Sequence, residues 1–141
     1  MATILLVEDA PDLGLYEARL LEAEGHRVIR CSGGPTIFAA CRMMRDGFCP
    51  LPDSADLIVF SCGLFAPIRH RTYRGIHLLR AYRAHPRYGR LPMLVVSFGP
   101  LEKIEGADAI EIVEKFAGPQ AVLDAVGRLL ARSVASAPSG R

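Results

Sequence analysis

The sequence predicts one α/β domain built on a doubly wound, five-stranded parallel sheet with strand order 2-1-3-4-5. Three observations predict it. Three apolar quartets, Ile4-Leu5-Leu6-Val7, Leu57-Ile58-Val59-Phe60 and Met93-Leu94-Val95-Val96, are rich in β-branched residues and lack the alternation of a half-exposed strand, so they suit strands buried on both faces. Two other candidates, His26 to Cys31 and Ala109 to Glu114, carry charge within the run, with Glu111 alternating against Ile110 and Ile112, and so belong at the sheet edges. Helical patterns separate the strands, and the βαβα alternation calls for right-handed crossovers that cover both faces. With the apolar strands inside and the charged ones outside, the order is the flavodoxin-like one.

Each helix has its own signals. After strand 1, Asp9 is placed as an N-cap and Pro11 in the first turn, Leu13, Tyr16, Leu20 and Leu21 recur at helical spacing, and Gly25 stops the helix. A second helix is predicted from about Pro35 to Asp46. A third runs from Gly75 to about His85, with Leu78, Leu79 and Tyr82 inward and His77, Arg80 and Arg83 outward. Between strands 4 and 5, only eight residues separate Ser97 from Gly106, and Gly99-Pro100 interrupt them, so the connecting helix there should be one turn or absent. The last helix opens at Gly118-Pro119 with a stripe of Val122, Val126, Leu129 and Leu130. The domain is predicted over residues 1–132, with residues 133–141 a disordered tail.

Composition narrows the function. The 141 residues suffice for one hydrophobic core, and 50% hydrophobic against 23% charged residues is a globular balance. No apolar run is long enough to span a bilayer, and MATILLVED has no basic residue ahead of its apolar stretch, so neither a membrane segment nor a secretory signal is expected and the protein is predicted to be cytoplasmic. The four cysteines, at 31, 41, 49 and 62, form no CxxC pair and are read as free thiols rather than a disulfide framework or a zinc site. Net charge is only +2, but it is uneven. No acid stands between Asp56 and Glu102, while that stretch holds seven arginines: 69, 71, 74, 80, 83, 87 and 90.

In such a sheet, ligands meet the carboxyl ends of the strands near the switch in strand order. Glu8-Asp9, Ser61-Cys62-Gly63, Ser97 and Lys115 stand at those ends. The segments ILLVEDAPDLGLYEARLLEAEGHRV, DLIVFS, LPMLVVS and VEKF together resemble the receiver domain of two-component response regulators, over residues 2 to about 132. The resemblance implies that an acid pair, Glu8 and Asp9 here, binds Mg²⁺ together with the backbone at Gly63. It further implies that an aspartate ending strand 3 accepts a phosphoryl group, that Ser97 senses it and that Lys115 pairs with it.

The sequence departs from that pattern where the chemistry is decided. Ser61 stands in the place of the phosphoaccepting aspartate, and a serine cannot form an acyl phosphate or supply an anionic ligand for Mg²⁺. Phe116 follows Lys115 where proline is usual, Ile112 is near the place of the aromatic switch residue, and Phe98 follows Ser97 where a small residue is usual. Ser61, Ser97 and Lys115 are therefore read as a vestigial phosphorylation site and Glu8, Asp9 and Gly63 as a residual metal site. No cofactor is expected, with Mg²⁺ binding weak or absent. Bland roles compete: Asp9 as a cap, Lys115 as an internal countercharge for Glu8 and Asp9, and Ser61 and Ser97 as strand-end hydrogen-bonders. Cys62 at the rim would need a stabilised thiolate to act in redox chemistry, and of the four histidines only His70 lies in a loop that could reach it.

These readings converge on a stand-alone atypical receiver, not an enzyme, that binds a regulatory protein without phosphorylation, in signal transduction or transcription control. Its partner is expected to have an acidic surface and to meet Arg71, Arg74, Arg80 and Arg83, with a homodimer as a second route to output. Two alternatives remain: a phosphoacceptor that uses a non-standard residue, and a nucleic-acid accessory protein acting through Arg69–Arg90, where Tyr73, Tyr82 and Tyr88 interleave with arginine.

Overall fold

The computed structural model describes residues 1–8, 11–31, 42–47, 49–61, 74–97, 110–114 and 117–135. The elements are β1 (Thr3–Val7), α1 (Pro11–Ala23), β2 (Arg27–Cys31), α2 (Arg42–Asp46), a 3-10 turn (Leu51–Ser54), β3 (Leu57–Phe60), α3 (Arg74–Ala84), β4 (Met93–Ser97), β5 (Ile110–Glu114) and α4 (Pro119–Ala135). All strand pairs are parallel and the order is β2-β1-β3-β4-β5. The short connecting helix expected between Ser97 and Gly106 lies outside the described residues, as does the stretch from Pro35 to Cys41 of the predicted second helix.

Because successive side chains of a strand point to opposite faces, each buried strand feeds two cores. On one face Leu5, Val7, Ile58, Phe60, Met93 and Val95 pack with Leu78, Leu79 and Tyr82 of α3. On the other, Ile4, Leu6, Leu57, Val59, Leu94 and Val96 meet Ala18 and Leu21 of α1 and Ala125, Val126 and Leu129 of α4. Each fully buried aliphatic or aromatic side chain contributes about 1.5–3 kcal/mol, so the quartets that mark the strands in the sequence are also the main source of cohesion. β1, β3 and β4 have neighbours on both sides, whereas β2 and β5 are the edges, where Arg27, Arg30, Ile112 and Glu114 are exposed.

The helix boundaries follow their punctuation. Pro11 begins α1, and Gly25, at φ 90°, reverses the chain after it, its N–H bonded to the Glu22 carbonyl at 2.9 Å. The inward face of α1, however, differs from the predicted stripe. Tyr16 is 56% exposed, whereas Leu13 and Leu21 pack on the core as predicted and are joined there by Gly14, Glu17 and Ala18. Arg74, expected in the preceding loop, is the first residue of α3, and α4 continues to Ala135, past the Ser133 at which fraying is predicted.

At the amino edge of the sheet, the 3-10 turn and the turn after α3 are tied together. The Tyr88 hydroxyl is 2.6 Å from the Cys49 carbonyl oxygen and 2.7 Å from Asp53 Oδ1, and Arg87 donates to the same Asp53 oxygen at 3.0 Å. His85 stacks on Tyr88 with ring centroids 4.3 Å apart, and Arg83 donates to the Gly89 carbonyl at 2.8 Å. At β5, Glu111 accepts from Arg128 Nε at 2.9 Å and from Arg132 at 2.5 Å, which fastens this edge strand to α4. No helix among the described residues is long and apolar enough to cross a membrane.

Candidate functional site

β1 and β3 are neighbours in register from Ile4↔Leu57 to Val7↔Phe60. Continuing that register by one residue sets Glu8 beside Ser61 at the carboxyl ends of the two strands. The backbone confirms the level: the Ser61 N–H donates to the Val7 carbonyl at 2.9 Å, and the Glu8 N–H to the Cys31 carbonyl at 3.1 Å. By alternation from Leu6 and Val59, both side chains project to the face that α1 covers. Glu8 is 1% exposed and Ser61 is wholly buried.

A third polar group completes the cluster. From the underside of α1, Glu17 reaches Ser61, and the Ser61 hydroxyl donates to Glu17 Oε1. Sequence reasoning missed Glu17, since a lone acid between Tyr16 and Ala18 reads as part of a solvated helix face. A fourth group comes from β2. Arg30 pairs in register with Leu6, and its guanidinium turns back over α1. A Cβ placed on Gly14 would stand 3.2 Å from Arg30 Nη2 and 3.4 Å from both Cβ and Cγ of Glu8. The missing side chain of Gly14 is thus the space in which the arginine head and the Glu8 stem meet.

Chemically, this arrangement is a buried, hydrogen-bonded polar cluster. A carboxylate removed from water is tolerated when hydrogen bonds or an opposite charge compensate it; the Ser61 hydroxyl supplies Glu17 with such a bond, and the Arg30 guanidinium lies over Gly14 on the side of the Glu8 stem. Ser61 has no exposed surface through which a phosphodonor could approach its hydroxyl.

The other predicted site residues are dispersed. Ser97 ends β4, opposite Glu114 of β5. Asp9, Gly63, Lys115 and Arg71 lie outside the described residues, as do Cys62 and His70. Arg74 opens α3, Arg80 is exposed on it, and Arg83 is half-buried with its guanidinium on the Gly89 carbonyl. Two of the aromatics counted for nucleic-acid stacking are unavailable for it: Tyr82 and Tyr88 are 2% and 1% exposed, packed with Phe60 in the core. The basic segment also has an acid beside it in space, because Asp53, far away in sequence, pairs with Arg87. Among the described residues, no group of three or more His, Cys, Asp or Glu could hold a metal ion.

No protein-family model matches the chain, and no curated protein matches it. Solved structures do. The chain is similar to the signal receiver domain of a signal transduction histidine kinase from Syntrophus aciditrophicus, with 20% identity, 100% of this chain and 98% of that one covered, and a TM-score of 0.64. It is similar also to the chemotaxis response regulator CheY4 of Vibrio cholerae, with 19% identity, coverage of 92% and 98%, and a TM-score of 0.61. A response regulator receiver protein from Sinorhizobium medicae WSM419 gives 23% identity, coverage of 94% and 96%, and a TM-score of 0.60. At these identities the likeness is one of fold, and it spans the whole length of the compared domains. With its strand order and its two helical layers, the chain has the flavodoxin-like fold found in response-regulator receiver domains.

Proposed function

We propose that this protein is an atypical receiver that regulates by binding another protein and does not take phosphorylation of strand β3 as its input. One observation carries the reading. The residue at the carboxyl end of β3 is Ser61, fully buried, with its hydroxyl committed to Glu17. An acyl phosphate needs a carboxylate at that place, and a serine phosphate would need the hydroxyl to reach solvent. Neither condition is met, which weighs against a phosphoacceptor that uses Ser61 as well as against the ordinary chemistry. A binding role without catalysis in signal transduction is what remains for a receiver fold with this site.

The arginine segment is the surface to which we assign the partner. Arg80, Arg87 and Arg90 are exposed on α3 and the turn that follows it, and that turn is held by the Tyr88, Asp53 and Gly89 contacts. Arginines on a pre-organised frame lose less freedom on binding than arginines on a loose loop. An acidic protein surface fits them, and burial of Tyr82 and Tyr88 removes the stacking element from the nucleic-acid alternative.

The test is intact-mass analysis of the full chain after treatment with acetyl phosphate and Mg²⁺. No added phosphoryl group is expected. An acid-labile adduct would show an acyl phosphate or a phosphoramidate, an acid-stable one a hydroxyl acceptor, and either one mapped to the end of β3 would overturn the reading.

A further inference from the structure

A receiver fold implies a divalent cation near the acid pair, and the described oxygens do not fit one. Mg²⁺ prefers near-ideal octahedral coordination, dehydrates reluctantly and usually keeps several waters. Glu8 and Ser61 are 1% and 0% exposed beneath α1, so they offer no solvent side on which such waters could sit. Glu17 Oε1 is already engaged by the Ser61 hydroxyl.

We propose that Arg30 is the resident cation of this site: its guanidinium, lying over Gly14 beside the Glu8 stem, balances the Glu8 carboxylate in place of a metal ion. Three features support the assignment. Arg30 is in register with Leu6, whose side chain belongs to the α1 side of the sheet, and Glu8 lies two residues further along that same face. The guanidinium and the Glu8 stem both come within 3.4 Å of the one point where a Gly14 Cβ would be. Finally, Gly14 is a buried residue inside α1, a place where glycine is less favourable than alanine. Room for the arginine head explains why a glycine is there.

Arginine suits the task better than lysine. Its planar fork can hold two oxygens at once and is more weakly hydrated, so an arginine that is itself exposed can lie against the helix beside a buried carboxylate. The consequence is a site whose charge is balanced from within the chain and whose stability does not follow the cation concentration.

The experiment is thermal unfolding of the full chain at low ionic strength, in EDTA and then with millimolar MgCl₂ or CaCl₂. For the parent, either salt should move the melting temperature by less than about 1 °C. Arg30→Gln should melt at least about 3 °C lower in EDTA, and the divalent salts should recover half or more of that loss, because the uncompensated carboxylate then gains from a cation. Arg27→Gln, an exposed arginine on the same strand, should show no such recovery, and Arg30→Lys should regain part of the loss without metal. Gly14→Ala, which crowds the guanidinium without removing it, should show a weaker form of the same cation response and serves if Arg30→Gln does not fold. A parent stabilised by several degrees in Mg²⁺ would overturn the proposal, and so would an Arg30→Gln variant no more responsive than Arg27→Gln. Neither result bears on phosphorylation or on the partner, so this proposal and the functional one stand or fall separately.

Discussion

The link between Ser61 and Glu17 can be measured by a double-mutant cycle. Ser61→Ala removes the donor. Glu17, half-buried, can then turn a carboxylate oxygen toward water, so the loss is that of one charge-assisted hydrogen bond, about 1.5–3 kcal/mol. Glu17→Leu strands the Ser61 hydroxyl, which has no exposed surface, at about 1–3 kcal/mol for an unsatisfied buried group. In the double variant the hydroxyl and carboxylate vanish together, and replacing both partners by apolar groups is close to neutral for the bond itself.

The expected coupling is therefore about 1.5 kcal/mol or more, with the double variant less destabilised than the sum of the two single ones. Equilibrium urea unfolding with an unchanged slope would measure it, and for a chain of this size each kcal/mol corresponds to roughly 3–5 °C in melting temperature. If the two losses add to within about 0.5 kcal/mol, the residues act independently. In that case the hydroxyl is satisfied elsewhere, and the account of the β3 terminus given above is wrong.

Three further predictions concern the opposite edge of the sheet. Tyr88→Phe removes the hydroxyl shared by the Cys49 carbonyl and Asp53 and should cost about 1–2 kcal/mol in urea unfolding. Burial, and then the hydrogen bond to Asp53, hold the Tyr88 phenol above its ordinary 10.0, so the folded chain keeps this proton longer than the unfolded one. That contribution is complete below pH 10 and is lost as pH rises through the folded value; the alkaline fall in stability should be shallower in Tyr88→Phe than in the parent. Gly89→Ala would set a Cβ 2.3 Å from the Arg83 carbonyl oxygen and 2.9 Å from that of His85, forcing backbone to move at about 2 kcal/mol; thermal unfolding indistinguishable from the parent would show that the turn is slack. Among the arginines, Arg80→Glu should stay within about 0.5 kcal/mol of the parent, whereas Arg83→Glu loses its bond to Gly89 and should cost about 1 kcal/mol, so only the Arg80 variant can test partner binding cleanly by its salt dependence.

The fold was legible because its strongest signals are local. Ile4–Val7, Leu57–Phe60 and Met93–Val96 carry no charge, and only a strand covered on both faces can bury such a run. Charges at Arg27, Arg30, Glu111 and Glu114 then leave β2 and β5 the edges. What composition could not show was pairing across sequence. Asp53 stands just outside the acid-free stretch, and the 3-10 turn that brings it to Arg87 and Tyr88 has no signal beyond Pro50 and Pro52. Tyr82 and Tyr88, read as interleaved with arginine, are core residues for the same reason: helical spacing set Tyr82 inward, and the Cys49 carbonyl and Asp53, remote in the chain, complete the pocket for Tyr88.

For the site, Ser61 was legible in the sequence and its partner was not, because a lone acid on an amphipathic helix reads as solvated wherever it stands. A stripe through Leu13, Tyr16, Leu20 and Leu21 follows the large apolar residues of α1, and Glu17, a single acid set among them, carries no signal that it faces the sheet. The observed stripe is Gly14, Ala18 and Leu21, smaller residues at i, i+4 and i+7. On a helix turning about 100° per residue, Glu17 lies about 40° from Leu21 and about 40° from Leu13, between two residues that pack on the sheet, while Tyr16 is turned about 60° beyond Leu13. Two small residues on an inward face leave room that something must fill, since protein interiors hold few voids. Here polar groups fill it, Glu17 toward Ser61 and Arg30 over Gly14 toward Glu8. Ser61 is thus accompanied by a carboxylate from α1, while a guanidinium from β2 lies over the same helix. A strand end knit into α1 in this way is a fixed part of the fold, and for that reason the function proposed above places the partner on the surface and not at the end of β3.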